Sequence, residues 1–176
     1  SAISDSDFKA AGAELINGAD QVWAEADLLL KVKEPIEPEY SRMRNGQTLF
    51  TYLHLAASKE LTAALLDRKV TAVAYETTEL ADGSTPMLTP MSEIAGRMSI
   101  QIGARYLERS AGGRGVLLGG VPGVDPARVV ILGAGVVGSA ATRIAVGMGA
   151  RVTVFNIDLE RLRHAIGSEH PDRGAP

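Results

Sequence analysis

Residues 128–138 read RVVILGAGVVG, and this stretch decides the fold. Arg128 to Leu132 is an apolar, β-branched run of strand length. Gly133-Ala134-Gly135-Val136-Val137-Gly138 is a G-x-G-x-x-G string opening a helical pattern that ends near Met148. A second β-branched run, Arg151 to Phe155, follows at once. Strand, glycine turn, helix and strand make a βαβ unit of the dinucleotide-binding kind, in which each glycine has a task. Gly133 permits the tight turn, Gly135 lets a pyrophosphate approach the backbone, and Gly138 allows close helix packing. Exposed N–H groups at the helix N-terminus then face the phosphates. In a chain with 19 glycines the string alone is a weak signal, and its position between strand and helix is what raises it.

The end of the second strand departs from the pattern. An acidic residue there normally accepts hydrogen bonds from the adenosine ribose, but Phe155 is followed by Asn156. An amide can bond a hydroxyl, yet it neither makes a charge-assisted bond nor repels a 2′-phosphate. A weakened preference for NAD over NADP is therefore expected, unless Asp158 bends back to supply the carboxylate.

Upstream, helical patterns alternate with short apolar runs, the mark of a parallel sheet with crossover helices. Helices are expected over about Phe8 to Leu15, Ala19 to Ala26, Pro38 to Arg44 and Ser58 to Asp67. A buried strand is expected from Leu28 through Lys33, stopped at Glu34-Pro35, with others over Thr48 to Leu55 and Thr71 to Glu76. Thr89 offers an N-cap with Pro90 as first helical residue. The long helix to about Arg109 carries Met91, Ile94, Ala95, Met98, Ile102 and Leu107 at core-like spacing. Gly119 to Pro126 reads as a boundary, which gives a substrate domain over 1–125, an opening dinucleotide-binding segment over 126–163, and a polar tail over 164–176 expected to be disordered. The fold class is thus α/β, a parallel-sheet Rossmann-like domain followed by the opening βαβ of a Rossmann domain. Two strands with one helix leave apolar surface uncovered.

Composition narrows the function. The chain has 176 residues, 18 Lys+Arg against 21 Asp+Glu, a net charge of −3, no cysteine and 45% hydrophobic residues. Without cysteine there is no disulfide framework, thiolate metal site or cysteine nucleophile, and no other metal site is read. A reducing, cytoplasmic setting is the simplest compartment. The balance lacks the basic face that nucleic acid requires. The N-terminus does not read as a signal peptide, and the apolar tract Val116 to Ala150 is too interrupted to span a membrane.

Lys33, His54 and Glu76 each fall at or near the C-terminal end of an expected strand. In an open parallel sheet those ends form the ligand crevice. A lysine there can hold a carboxylate, and a histidine suits proton transfer near neutral pH. Against this, strand-end lysines are mostly solvated, a His between Leu53 and Leu55 is more often a core residue, and strand-end acids such as Glu76 often serve as caps. Ser92, in the first turn of the long helix, has capping as its simplest role.

These residues lie in a set of motifs: LLLKVKEP (Leu28 to Pro35), TYLHLAA (Thr51 to Ala57), AYET (Ala74 to Thr77), PMSEIAGRMS (Pro90 to Ser99), GGRGVLLGGVPGV (Gly112 to Val124) and VVILGAGVVG (Val129 to Gly138). In this order they resemble the bacterial alanine dehydrogenases, and the similarity is dense from Ser1 to about Arg163. The resemblance implies NAD-dependent, reversible oxidative deamination of L-alanine to pyruvate and ammonia, in a homohexamer. It implies that Lys33 binds the substrate carboxylate and His54 is the general acid/base; Glu76 is a candidate supporting residue from its strand-end placement alone. Ser92, Gly133, Gly135, Val136, Val137 and Gly138 would contact the dinucleotide, with Asn156, where the family has aspartate, and Arg161 at the adenosine end. It also implies truncation at both ends, since the family has a strand and a substrate-binding arginine before Ser1 and more of the nucleotide domain after Arg163. The alternatives are a transhydrogenase alpha-subunit-like nucleotide-binding domain, in which neither Lys33 nor His54 is expected, and a catalytically inactive remnant.

Overall fold

Parallel pairing organises both halves of the chain, as seen in a computed structural model that describes residues 3–167. By compactness the chain divides between Met87 and Leu88. The glycine- and proline-rich run at 119–126 therefore lies inside the second unit.

In the first unit the order is α1 (Asp5–Ala10), α2 (Ala19–Glu25), β1 (Leu28–Leu30), α3 (Glu37–Tyr40), β2 (Thr48–Thr51), α4 (Lys59–Arg68) and β3 (Thr71–Ala74). The sheet runs β1-β2-β3, all parallel, with Leu29 opposite Leu49 and Leu49 opposite Ala72. Its core gathers Trp23, Leu29, Met43, Leu49, Leu53, Leu61 and Leu65. Leu61 and Leu65 reach it together because four residues return a helix to the same face. Ser58 starts α4 by accepting the Leu61 N–H, and Lys69 closes it in the left-handed conformation at φ 54°. Gln47, fully buried, donates to the carbonyls of Trp23 and Ala26 and so ties the end of α2 to the start of β2.

Several boundaries differ from expectation. The first helix is Asp5–Ala10, not Phe8 to Leu15, because Ser4 and Asp7 form a capping box that fixes its start earlier. β1 has only Leu29 buried, with Leu28 and Leu30 exposed, so it is not a fully buried strand. Ladder-type bonds nevertheless continue past it, from Lys31 N–H to the Phe50 carbonyl and from Tyr52 N–H to the Val32 carbonyl. β2 and β3 end at Thr51 and Ala74, short of His54 and Glu76, which lie in or beside 3-10 turns.

The second unit contains α5 (Thr89–Leu107), β4 (Arg128–Leu132), α6 (Val136–Gly147), β5 (Arg151–Phe155) and α7 (Leu159–Gly167). β4 and β5 pair in parallel from Arg128 opposite Arg151 to Leu132 opposite Phe155. Ile131, Ala141, Ala145, Ile100 and Leu118 form its core, with Val129, Val152 and Val154 against them. The alternate residues Val130, Leu132 and Phe155 stay exposed, so one face of this sheet is uncovered.

Helix α5 packs on α6 through Gly96, where a Cβ would collide with the Val137 carbonyl and the Ala140 methyl. Its buried positions are Gly96 and Ile100. The stripe expected in the core is not there: Met91, Ile94, Met98 and Ile102 are each about half exposed. Small side chains, not the large apolar ones, allow the two helix backbones to approach. The N-cap position is Leu88, and Thr89 is the first helical residue. At the far end, residues 164–167 belong to α7 and not to a disordered tail; the remainder of that expectation, 168–176, lies outside the described residues.

Candidate functional site

The first unit brings His54 and Glu76 together at the C-terminal end of its sheet, through the backbone of the histidine. The Glu76 carboxylate accepts the His54 N–H at 2.6 Å and the Leu53 N–H at 3.1 Å. His54 itself is left-handed, at φ 47° and ψ 40°. Its side chain is exposed, so it is not the core histidine that its leucine neighbours allow for. Partial burial pushes the Glu76 carboxyl up. N–H bonds from His54, Glu76 itself and Leu53, with the nearby imidazole charge, outweigh that and hold it below the ordinary glutamate range.

Tyr52, which the sequence pattern did not single out, packs beside His54. Its ring lies parallel to the His54 imidazole, 7° between planes and 5.8 Å between centroids. The Tyr52 hydroxyl donates to the Met87 carbonyl at 2.7 Å, and its ring meets Tyr75 edge-on. Strand alternation does not signal this pairing, because β2 ends at Thr51 and His54 is left-handed.

Lys33 stands just beyond β1. Its carbonyl accepts the Thr51 hydroxyl at 2.9 Å, which fastens this segment to the end of β2. Its ammonium lies 3.8 Å from Glu34 with a side chain 74% exposed, free to turn toward a carboxylate. Lys31 is the opposite case: it pairs with Glu39 and lies over the Trp23 ring, so the first lysine of the KVKEP motif is structural.

In the second unit the three glycines behave distinctly. Gly133 has φ +101°, a conformation that L side chains rarely adopt. A Cβ on Gly135 would meet nothing within 4 Å, so open space lies over the turn. A Cβ on Gly138 would strike the Gly133 carbonyl, so the third glycine closes the loop on its own strand end. Gly135 is the N-cap of α6 and offers no side chain to the first-turn N–H groups, where Val136 and Val137 are part exposed. An uncapped helix start under open space suits a phosphate group. A cleft of about 510 Å³ lined by Leu132, Gly133, Phe155, Asn156 and Ile157 opens beside it. Ser92 lies on α5 one turn before Gly96, the point of contact with the first turn of α6.

Asn156 is turned into this loop: its Oδ1 accepts the Ala134 N–H and its Nδ2 donates to the Asp158 carbonyl. Asp158 does not bend back to replace a ribose-binding carboxylate. Its Oδ1 caps α7 by accepting the N–H groups of Glu160 and Arg161, and its Oδ2 pairs with Arg161 at 3.4 Å. Among the described residues no cluster of three metal-ligating side chains occurs, and no helix is long and apolar enough to cross a membrane.

A parallel sheet with a histidine and a lysine at its C-terminal end, joined in sequence to a glycine-loop βαβ unit, defines the class as a Rossmann-type α/β protein. Family comparison makes this specific. The alanine dehydrogenase/PNT N-terminal domain matches residues 1–95 and the corresponding C-terminal domain matches 99–169, so the chain belongs to the alanine dehydrogenase/PNT family. It is 68% identical over 167 residues to an alanine dehydrogenase of Mycolicibacterium smegmatis, covering 95% of this chain and 45% of that protein. An alanine dehydrogenase of Methanococcus maripaludis is 59% identical over 164 residues, covering 93% and 44%. A solved L-alanine dehydrogenase superposes with a TM-score of 0.85 at 54% identity, over 96% of this chain and 46% of that one. A transhydrogenase from Sinorhizobium meliloti shares the fold at a TM-score of 0.70 and 24% identity, over 94% and 49%. The chain thus spans slightly less than half the length of these relatives.

Proposed function

We propose that this chain carries the substrate side and the opening of the nucleotide side of an NAD-dependent alanine dehydrogenase. The reaction takes L-alanine, NAD+ and water to pyruvate, ammonium, NADH and a proton, reversibly. The observation that carries this reading is His54, an exposed imidazole held at the C-terminal end of a parallel sheet in a chain whose relatives bear that name.

Lys33 binds the alanine carboxylate, its ammonium being exposed and little engaged. His54 takes a proton from the substrate amine and releases it to solvent, then takes a proton from the water that adds to the imine carbon and delivers that proton to the departing amine. Gly133, Gly135, Val136, Val137 and Gly138 hold the pyrophosphate, with Ser92 nearby and Asn156 and Arg161 toward the adenosine. Bound there, NAD supplies the hydride acceptor. The open space above Gly135 and the uncapped start of α6 fit that group. Glu76 supports the histidine. In this reading the enzyme is a cytoplasmic homo-oligomer, a hexamer as the resemblance implies, and the segment after residue 125 forms the nucleotide side.

Alanine-dependent NADH formation, measured on this chain and on one extended to the length of its relatives, tests the reading. Activity in either form supports it, and activity in neither overturns it. Sedimentation of the same samples reports the assembly.

A further inference from the structure

We propose that Glu76 is a positioning residue for His54, the anchor whose carboxylate holds the left-handed turn that presents the imidazole. The inference rests on the reading of His54 as the proton-transfer group, and it assigns Glu76 a specific task within it.

The regular ladder on β2 ends at Thr51, opposite Ala74, and the last ladder-type bond on the other side is from Tyr52 N–H to Val32. The next two N–H groups, of Leu53 and His54, therefore have no strand carbonyl to meet. Both find Glu76 instead, at 3.1 and 2.6 Å on Oε1, with Oε2 3.3 Å from Leu53. Glu76 reaches them because β3 breaks into the 3-10 turn Tyr75–Thr77, which is closed by Thr78 bonding to Ala74 through its hydroxyl and to Tyr75 through its N–H. A carboxylate that merely caps would serve its own turn alone, whereas this one, besides its own N–H, serves N–H groups 22 and 23 residues away.

His54 is one of only two non-glycine residues with positive φ among those described, and such a conformation persists where its surroundings enforce it. The same turn also supplies Tyr75, whose ring holds Tyr52 edge-on while Tyr52 stacks on the imidazole. Residues 75 and 76 thus restrain the histidine twice, once through its neighbour's ring and once through its backbone. The titratable side chain facing the carboxylate is that of His54.

NMR of the labelled chain tests this directly. In the parent, the Leu53 and His54 amide protons should shift together as Glu76 titrates, and His54 should show the intense intraresidue Hα–HN NOE of positive φ. Glu76→Gln keeps an acceptor oxygen and should retain the NOE while abolishing the amide titration. Glu76→Ala should lose both. Amides indifferent to the carboxylate in the parent, or an unchanged NOE in Glu76→Ala, would overturn the proposal. If Glu76→Ala fails to fold, the parent titration and Glu76→Gln still decide.

In the extended enzyme, Glu76→Ala should lower kcat by about tenfold to a hundredfold with KM little changed, and Glu76→Gln should recover most of it. Equal kcat losses in the two variants would count against positioning. Full activity in His54→Ala beside the expected NMR result would instead overturn the role of His54 and leave the anchor intact.

Discussion

Asn156 closes the glycine loop on itself: its side-chain oxygen accepts the Ala134 N–H at 3.2 Å, while its side-chain nitrogen donates to the Asp158 carbonyl at 2.7 Å. The residue proposed to face the adenosine ribose is thus a neutral amide with both ends engaged. With Asp158 spent on capping α7, no free carboxylate stands at the end of β5 among the described residues to repel a 2′-phosphate.

Discrimination between NADH and NADPH should therefore be weak, and Asn156→Asp should sharpen it by about tenfold, roughly 1.4 kcal/mol, in favour of NADH. Fluorescence titration of both nucleotides against the two proteins checks this. Equal discrimination in parent and variant would refute it.

Gly135 and Gly138 should separate binding from stability. Gly135→Ala places a methyl in open space, so melting should be little changed while dinucleotide affinity falls. Gly138→Ala drives a methyl into the Gly133 carbonyl and should cost about 1–3 kcal/mol of stability as well. Thermal melts and nucleotide titrations on the pair give the four values needed.

Replacing the exposed His54 with alanine should leave the melting temperature nearly unchanged. In the extended enzyme it should lower turnover by about 10²–10⁴-fold, the range of a lost general acid/base. Unchanged turnover would remove His54 from the mechanism.

The acid limb of stability should carry a Glu76 signature. Its carboxyl is held lower in the folded chain than in the unfolded one, so its contribution is complete above the ordinary glutamate range. That contribution is lost as pH falls through the depressed folded value. Urea melts across acidic pH should show a shallower acid decline for Glu76→Gln than for the parent.

The glycine loop was legible because its demands are local. Gly133 needs positive φ, Gly138 lies against a carbonyl five residues back, and flanking β-branched runs mark the strands. The strand-end placement of Lys33, His54 and Glu76 was legible from the same alternation. What escaped were features set by partners distant in sequence. His54 is left-handed because a carboxylate 22 residues on gathers its N–H, and no propensity at position 54 signals that. The large apolar side chains of α5 have helical spacing, yet Gly96 decides which face meets α6, since a small residue is silent in a hydrophobic pattern. Asp158 was open to serving as a ribose carboxylate if the turn bent back, but its oxygens meet the first N–H groups of α7 instead.

The uncovered side of the β4–β5 pair bears on handling the protein. Val130 is 60% exposed, Leu132 82% and Phe155 58%, on two strands that, among the described residues, each have a partner on one side only. Such a ribbon is a template for further strand addition and a greasy surface at once. Preparations of this chain should bind hydrophobic dyes and precipitate as concentration rises. A charged replacement at Leu132, which points away from the packed side, is the simplest route to a sample that stays dispersed.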